Sequence, residues 1–168
     1  MMVVGKYGLL ALVAGGVVAL DQASKFWVDT HMRLYETKAL IPGFFDLHYI
    51  RNTGAAFGLL SRTDADLRVP FFIVVSVVAS AIILFLFHRL RDADKVLPFA
   101  LSLVLGGAIG NLIDRIRLGE VIDFFYIHYK GFHWPAFNVA DTAITVGVFL
   151  LILRMVFLEK APPGPRQS

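Results

Sequence analysis

Two aspartates lie in apolar surroundings, where a carboxylate is unfavourable. Asp123 lies within the stretch VIDFF, and Asp141 lies near the start of an apolar run that begins at Phe137. Burial favours the neutral form of a carboxyl, and two carboxyls that share one site resist ionising together. One of them then holds a proton while the other acts as a base. Such a pair can activate a water molecule for attack on an amide.

Each aspartate also has a structural interpretation. Asp123 could pair with an arginine, and Asp141 could cap a helix that starts beside it; for either residue alone, both interpretations carry similar weight. Neighbouring polar residues favour a site, because Asn111 and Arg115 close one apolar segment and Asn138 opens the next. The amides could hydrogen-bond an extended backbone. The guanidinium could orient a peptide carbonyl or balance a carboxylate.

A second polar group lies earlier in the chain. Asp21 and Lys25 are four residues apart, a spacing that favours an ion pair on one helix face, and we expect this pair to be mainly structural. Asn52 and Gly54 fit an ordinary turn or a binding loop. Ser24 cannot act with Lys25 as nucleophile and base, since adjacent helical residues point in different directions.

Other chemistries have little support in the residues. The chain has no cysteine, which removes disulfides, thiolate nucleophiles and cysteine-bound metal centres. It also lacks a His-Glu-x-x-His pattern, a Gly-x-Ser-x-Gly elbow and a phosphate-cradling loop. His128 and His133 lie near Asp123 without ligand spacing. We therefore expect neither a metal nor another cofactor.

The elements that must position the aspartates are apolar enough to cross a membrane. The 168 residues are 57% hydrophobic and 17% charged, which exceeds the apolar content that a soluble core needs. A spanning helix takes about 20 apolar residues. We therefore predict an all-α membrane protein with four transmembrane helices in one domain, 1–160, followed by a disordered tail, 161–168. The predicted spans are 7–27, 69–87, 96–113 and 137–158.

The first span has a rival interpretation as a cleaved signal peptide, because Lys6 precedes an apolar run. The run lacks a clear small-x-small cleavage site and continues into the motif that contains Asp21 and Lys25. Both features favour a retained helix.

Cations in the short segment 88–95 predict the orientation. Arg89, Arg91 and Lys95 lie there, and short loops rich in Lys and Arg are usually cytoplasmic. Both termini would then be cytoplasmic. The longer segments 28–68 and 114–136, and with them the two aspartates, would lie on the extracytoplasmic side.

These longer segments predict a small β-structure on the extracytoplasmic face. Residues 44–50 and 121–129 are rich in aromatic and β-branched side chains, and turn residues follow at 52–54 and 130–131. Strand edges of this kind could hold an extended peptide. Glycine and polar residues in the segment 50–66 would suit a lid.

Five sequence blocks resemble those of the lipoprotein signal peptidases, also called signal peptidase II, which are membrane aspartic peptidases of bacterial inner membranes. The blocks are DQASK at 21–25, RNTGAAF at 51–57, GGAIGNLIDR at 106–115, VIDF at 121–124 and FNVADTAI at 137–144. They occur in the family's order and extend over nearly the whole chain. Together they make the resemblance specific, although any one of them alone would be weak.

The resemblance implies an endopeptidase that removes the signal peptide from a prolipoprotein, just before its diacylglyceryl-modified cysteine. It implies Asp123 and Asp141 as the catalytic dyad. The substrate-binding residues would be Asn52, Gly54, Asn111, Arg115 and Asn138, and the supporting residues would be Asp21, Lys25 and Asp114. The partners would be prolipoproteins and membrane lipids. We expect a monomer, and no nucleic acid, because the cations are scattered.

Three other functions stay open on the residues alone. A transporter or proton-coupled channel could use Asp123, Asp141 and Arg115 as an ion relay, although carboxylates at one membrane face rather than at the midplane disfavour this. A non-enzymatic assembly factor could bind other helices through the glycines at 106, 107 and 110. A metallopeptidase would lose its activity to a strong chelator.

Overall fold

A computed structural model describes residues 5–54, 65–90 and 95–158. Four of its elements are helices that are long and apolar enough to cross a membrane. The elements in chain order are α1 (Lys6–His31), β1 (Thr37–Ile41), β2 (Phe45–Asn52), α2 (Ala65–Arg89), α3 (Val96–Leu118), β3 (Val121–Tyr129), β4 (Phe132–His133) and α4 (Val139–Leu158). The prediction of four membrane helices with a small β-structure is confirmed.

Three helices extend beyond the predicted spans at the end nearer to the strands. α1 continues to His31, α3 continues to Leu118, and α2 already begins at Ala65. The added turns contain polar residues. Hydropathy therefore predicts that the span ends before them, although the backbone hydrogen bonding of the helix continues through them. α3 stops at Gly119, whose φ of 73° is left-handed and whose N–H donates to the Arg115 carbonyl at 3.0 Å.

α3 is the most buried of the four helices and packs against both α1 and α4. Half of its most apolar stretch is buried, compared with 17% or less in the other three. A β-carbon on Gly106 would lie 2.9 Å from a backbone oxygen of α1, and one on Gly107 would overlap a backbone oxygen of α4. One on Gly110 would lie 2.6 Å from the Asp21 carboxylate. The glycines thus allow close helix approach within the bundle.

The outer surfaces of the helices are apolar. On α2, Val74 and Phe85 are 60% and 58% exposed, and on α4 Phe149 is 58% exposed. A contiguous apolar surface of this extent is unfavourable in water. Contact with lipid removes this cost.

The strands form one antiparallel sheet in the order β1-β2-β3-β4. The two strands predicted from the sequence correspond to β2 and β3. The sequence did not predict β1 and β4, which are exposed throughout and therefore carry no burial pattern. Pairing of β2 with β3 places Ile50 opposite Asp123 and Asn52 opposite Val121. This register brings Asn52 beside Asp123.

The sheet is anchored on the C-terminal end of α1. Val28 and Met32 pack against Tyr49 of β2 and against Ile122 and Phe124 of β3. These five side chains are at most 6% exposed. Their burial holds β3, and with it Asp123, against the helices.

Several predictions fall outside the described residues. They concern the tail 161–168, the greater part of the lid segment 50–66, and residues 91–94 of the loop used to predict orientation. The domain boundary at residue 160 also stays a prediction.

Candidate active site

A cavity of about 750 Å³ lies between the end of α3, the start of α4, and strands β2 and β3. Its wall contains most of the residues that the sequence assigned to catalysis or substrate binding. They are Asn52, Gly54, Asn111, Arg115, Asp123 and Asp141. Apolar side chains complete the wall, among them Trp134, Phe137, Ile144 and Val146. The cavity is therefore polar at the end near the aspartates, whereas along α4 the apolar side chains are mixed with two threonines, Thr142 and Thr145.

Asp123 is a buried carboxyl on β3, with 1% of its surface exposed. Its Oδ1 accepts a hydrogen bond from Asn138 Nδ2 at 2.7 Å, and its Oδ2 accepts one from Asn52 Nδ2 at 2.9 Å. Burial and, next, the charge of Asp141 raise the pKa of Asp123 to about 7, although both amide hydrogen bonds act in the opposite direction. The carboxyl can therefore gain or lose a proton near neutral pH.

Asp141 lies in the first turn of α4 and is part of its N-terminal cap. Asn138 Oδ1 accepts from the backbone N–H of Asp141 at 2.8 Å, and Asp141 Oδ2 accepts from that of Asn138 at 3.3 Å. This reciprocal pair is a capping box. Asp141 Oδ1 also accepts from Asn111 Nδ2 at 2.7 Å. The capping interpretation is thus correct, yet the same carboxylate still faces the cavity.

One buried residue, Asn138, joins the two aspartates. Asn138 is fully buried, and its Nδ2 donates to Asp123 while its Oδ1 accepts from the backbone of Asp141. The same Nδ2 lies 3.2 Å from the Ile122 carbonyl oxygen. Asn138 does not line the cavity itself. It holds the strand and the helix that carry the two aspartates.

Behind the cavity lies a cluster centred on Lys25. Its Nζ lies 2.8 Å from Asp21 Oδ2, 2.8 Å from Asp114 Oδ2 and 2.9 Å from Asn111 Oδ1. The predicted pair of Asp21 and Lys25 is therefore present, with Asp114 as a second acidic partner. Asp21 Oδ1 also accepts from the backbone N–H of Ala140 at 2.9 Å. The cluster thus satisfies a further donor at the start of α4.

Asp114 connects this cluster to β3. Its Oδ2 accepts from the backbone N–H of Ile122 at 3.2 Å, directly before Asp123. Its Oδ1 accepts from Gln22 Nε2 at 2.9 Å. Sequence reasoning gave Gln22 no role. The indication in the sequence was that Gln22 is a polar residue inside an apolar span.

Arg115 contributes positive charge to the cavity wall. Its guanidinium lies 5.1 Å from the centre of the Phe72 ring on α2, and its Nη1 lies 3.4 Å from the Asn111 carbonyl oxygen. The hydrogen-bonding partners that the structure gives Asp123 are amides, so the predicted alternative of an Asp123–arginine pair is not the arrangement found. Arg115 remains available to a ligand in the cavity.

Arg51 is a cavity residue that sequence reasoning missed. Its Nη2 lies 2.8 Å from Asp29 Oδ1, and its Nε donates to the Tyr49 hydroxyl at 3.0 Å. The hydrogen bond with Tyr49, and then that with Asp29, raises the pKa of Arg51. The sequence feature that could have indicated a place in the cavity is its position directly before Asn52 in the RNTGAAF block.

The two histidines near Asp123 in sequence make other contacts. His128 lies 2.8 Å from Asp46 Oδ2, and His133 Nδ1 lies 2.7 Å from the Tyr126 hydroxyl. Within the described ranges, no group of three or more His, Asp or Glu side chains is placed to hold a metal ion.

Solved structures with the same fold define the class of protein. One, described as a bacterial membrane enzyme, has a TM-score of 0.85 and 31% identity, and covers 96% of this chain and 95% of its own. A second with the same description has a TM-score of 0.80 and 33% identity, and covers 89% and 94%. The fold is that of a multi-pass bacterial membrane enzyme.

Sequence comparison identifies the family within that class. The family model described as signal peptidase (SPase) II matches residues 13–157. The lipoprotein signal peptidase of Geobacter sulfurreducens is 51% identical over 158 residues, covering 93% of this chain and 98% of that protein. That of Geobacter metallireducens is 50% identical over 154 residues, covering 92% and 94%.

The chain belongs to the signal peptidase II family, whose members are aspartic-type peptidases that process lipoproteins. The resemblance found in the five sequence blocks is confirmed. Membership decides against the transporter, the assembly factor and the metallopeptidase.

Proposed function

We propose that this protein hydrolyses the bond just before the diacylglyceryl-modified cysteine of a prolipoprotein, with Asp123 and Asp141 as the catalytic pair. One observation carries the proposal. Both carboxyls lie on the wall of a single cavity and are connected through Asn138. Their other hydrogen-bonding partners are neutral amides, which position a carboxyl without neutralising it.

The proposed reaction needs one ionised and one protonated carboxyl. The ionised carboxylate takes a proton from water as the water oxygen bonds to the scissile carbonyl carbon, and the protonated carboxyl gives its proton to the carbonyl oxygen. The resulting gem-diol then collapses. The carbon–nitrogen bond breaks, the nitrogen takes the proton from water, and a diol hydroxyl returns the other proton. A pKa of about 7 at Asp123 suits this exchange.

The polar end of the cavity would hold the extended cleavage region. The backbone N–H of Gly54 donates to Asn52 Oδ1 at 3.0 Å, which directs the Asn52 amide nitrogen at Asp123. We assign Asn52 and Arg115 to binding of the substrate backbone beside the scissile bond. Ile144 and Val146 continue the wall along α4, where an apolar signal segment or acyl chain would fit.

A matched pair of substrates tests this function. The purified protein in lipid nanodiscs is incubated with a lipobox peptide whose cysteine is diacylglyceryl-modified, and with the same peptide unmodified, and the products are located by mass spectrometry. We expect a single cut before the modified cysteine and little cleavage of the unmodified peptide. Equal cleavage of both peptides, or a cut elsewhere, would contradict the proposal.

We also propose that the site lies on the extracytoplasmic side, with both termini in the cytoplasm. The ends of α1 and α3 and the starts of α2 and α4 connect to the strands, whereas Lys6 Nζ donates to the Leu90 carbonyl oxygen at 2.9 Å at the opposite end. Arg89 and Lys95 also lie at that opposite end. Cations favour the cytoplasmic side.

The absence of cysteine makes this orientation easy to test. Lys38→Cys on β1 and Arg89→Cys at the end of α2 each introduce the only thiol of the chain. We expect a membrane-impermeant maleimide to label the first in intact spheroplasts and the second only after permeabilisation. The reverse pattern would overturn the orientation.

A further inference from the structure

The buried side chain of Lys25 has no place in the reaction described so far. Its Nζ has three oxygens within 2.9 Å, from Asp21, Asp114 and Asn111. Three acceptors at these distances use all three N–H bonds of an ammonium group. Lys25 is 2% exposed and does not line the cavity. Lys25 can therefore affect catalysis through its charge, or through a neighbour that touches the dyad.

That neighbour is Asn111, whose amide has two different ends. Lys25 donates to Asn111 Oδ1, so this oxygen must face Lys25, and the Nδ2 then faces Asp141 Oδ1 at 2.7 Å. A primary amide nitrogen only donates. Asp141 Oδ1 must therefore accept, as does its Oδ2 from the backbone N–H of Asn138.

Asp141 lies at the positive end of a helix, whereas Asp123 lies on a strand. In the first turn of α4, an anion is favoured by the N–H groups and the helix dipole. β3 offers Asp123 no comparable field. Each carboxyl accepts two N–H hydrogen bonds, so the helix N-terminus is the difference between them. Where the two carboxyls share one proton, it favours the ionised form at Asp141 and the acid at Asp123.

We propose that Lys25 is a positioning residue, which fixes the Asn111 amide so that Asp141 is the base that takes the proton from water and Asp123 is the acid that protonates the scissile carbonyl. The inference rests on the proposed function, since it assigns the two roles within that reaction. The water proton goes to Asp141 and then to the leaving nitrogen. The Asp123 proton goes to the carbonyl oxygen and returns from the gem-diol.

The prediction on pH must include every charged group near the base. Within the described part of the chain they come from four elements: Asp21 and Lys25 from α1, Asp114 and Arg115 from α3, Asp123 from β3, and Arg51, which lines the same cavity, from β2. A variant that removes Lys25 alone would leave two acidic partners without a counter-ion. It would change the electrostatic balance as well as the amide.

A charge-balanced double variant avoids this problem. Lys25→Met together with Asp114→Asn removes one positive and one negative charge, so the net charge of the cluster is unchanged. The Asn111 oxygen then keeps only the donor Asn138 Nδ2 at 3.2 Å and loses Lys25 Nζ at 2.9 Å, so the amide is held less firmly and can turn its oxygen towards Asp141. A hydrogen bond to a charged group contributes enough that we expect the acidic limb of kcat to move up by about one to two pH units.

The size and type of the kinetic effect separate positioning from a structural role. We expect kcat near pH 6 to fall about ten- to a hundredfold per folded molecule, as for other losses of positioning, with KM little changed. A purely structural Lys25 predicts fewer folded molecules with an unchanged kcat and pH profile. That outcome would overturn the inference.

Two further variants complete the test. Asn111→Leu keeps the Lys25 ion pairs but removes the amide that connects Lys25 to Asp141. It should therefore shift the acidic limb of kcat even if the double variant does not fold. In the Asn111→Leu background, the Lys25→Met and Asp114→Asn changes should cause no further shift; independent, additive shifts would contradict the inference. Asp123→Asn is tested beside them: normal cleavage by that variant would reject the proposed function itself.

Discussion

Two pairs of aspartates occupy the same end of the bundle and differ in their partners. Asp21 and Asp114 both contact Lys25 Nζ at 2.8 Å. Asp123 and Asp141 receive hydrogen bonds from amides and line a cavity. The first pair is compensated by a cation and does not line the cavity. The second, the open pair, lines the cavity and has no ion-pair partner among the residues that the structure describes, although Asp123 itself is only 1% exposed. Burial is thus common to both pairs, and the missing ion-pair partner and the position on the cavity wall distinguish the pair that we propose as catalytic.

The largest effect is expected from the open pair. In the proposed reaction, Asp123→Asn and Asp141→Asn each remove a group that transfers a proton, so kcat for a diacylated lipobox peptide should fall about 10²- to 10⁴-fold. An amide has the shape of the carboxylate but one acceptor oxygen instead of two, so kcat is measured per folded molecule and thermal unfolding checks the fold of each variant. Asp46→Asn is the control, since Asp46 lies on β2, pairs with His128 and does not line the cavity. Wild-type turnover by either dyad variant would contradict the role proposed for the open pair.

Removal of the positive charge of Lys25 should lower the unfolding free energy. Lys25→Met leaves Asp21 and Asp114 buried without their counter-ion, and breaking a buried ion pair costs about 3–5 kcal/mol of unfolding free energy. Thermal unfolding in lipid nanodiscs measures the change. Addition of Asp114→Asn should recover part of the loss, because it removes one of the two uncompensated charges. No recovery would show that charge does not explain the loss.

The open pair should make stability depend on pH. The pKa of Asp123 rises from 3.8 to about 7 on folding, so the folded state binds the proton more tightly and loses stability as pH rises between these values. Asp123→Asn removes that dependence. The unfolding free energy of the variant minus that of the wild type should therefore increase from pH 4 to pH 8, by up to about 4 kcal/mol. A gain that does not change with pH would contradict the assignment.

A smaller effect concerns the helix contact that holds both pairs in place. Gly107→Ala adds a methyl group where a backbone oxygen of α4 already lies, and overpacking costs about 1–3 kcal/mol. Gly16→Ala on α1 is the matched control, because nothing lies within 4 Å of its added β-carbon. Its unfolding temperature should be unchanged or slightly higher. Equal losses in both variants would point to a general effect of the substitution.

The sequence predicted the parts of this arrangement that have local signals. Long apolar runs predicted the four helices, and β-branched and aromatic residues predicted β2 and β3. The unfavourable placement of Asp123 and Asp141 in apolar surroundings indicates a site independently of the family resemblance. All the residues then proposed for the site lie in or directly behind one cavity.

The rest depends on contacts between residues far apart in the chain. Asp21 accepts from the backbone of Ala140, 119 positions later, and Lys25 donates to Asn111 across 86. No periodicity in either segment encodes such a pairing. The helix spacing of Asp21 and Lys25 predicted their contact but not the third partner, Asp114. The exposed strand β1 has no burial pattern from which it could be predicted.

The two pairs can be distinguished by measuring whether a carboxyl of the open pair holds a proton near neutral pH. Infrared difference spectroscopy of the purified protein between pH 5.5 and pH 8.5 detects the carbonyl stretch of a carboxylic acid. We expect such a band to titrate near the pKa of about 7 of Asp123, to be present in Asp46→Asn and to be absent in Asp123→Asn. A band that survives in Asp123→Asn, or a wild-type protein without one, would contradict the claim that the uncompensated pair holds a proton for catalysis.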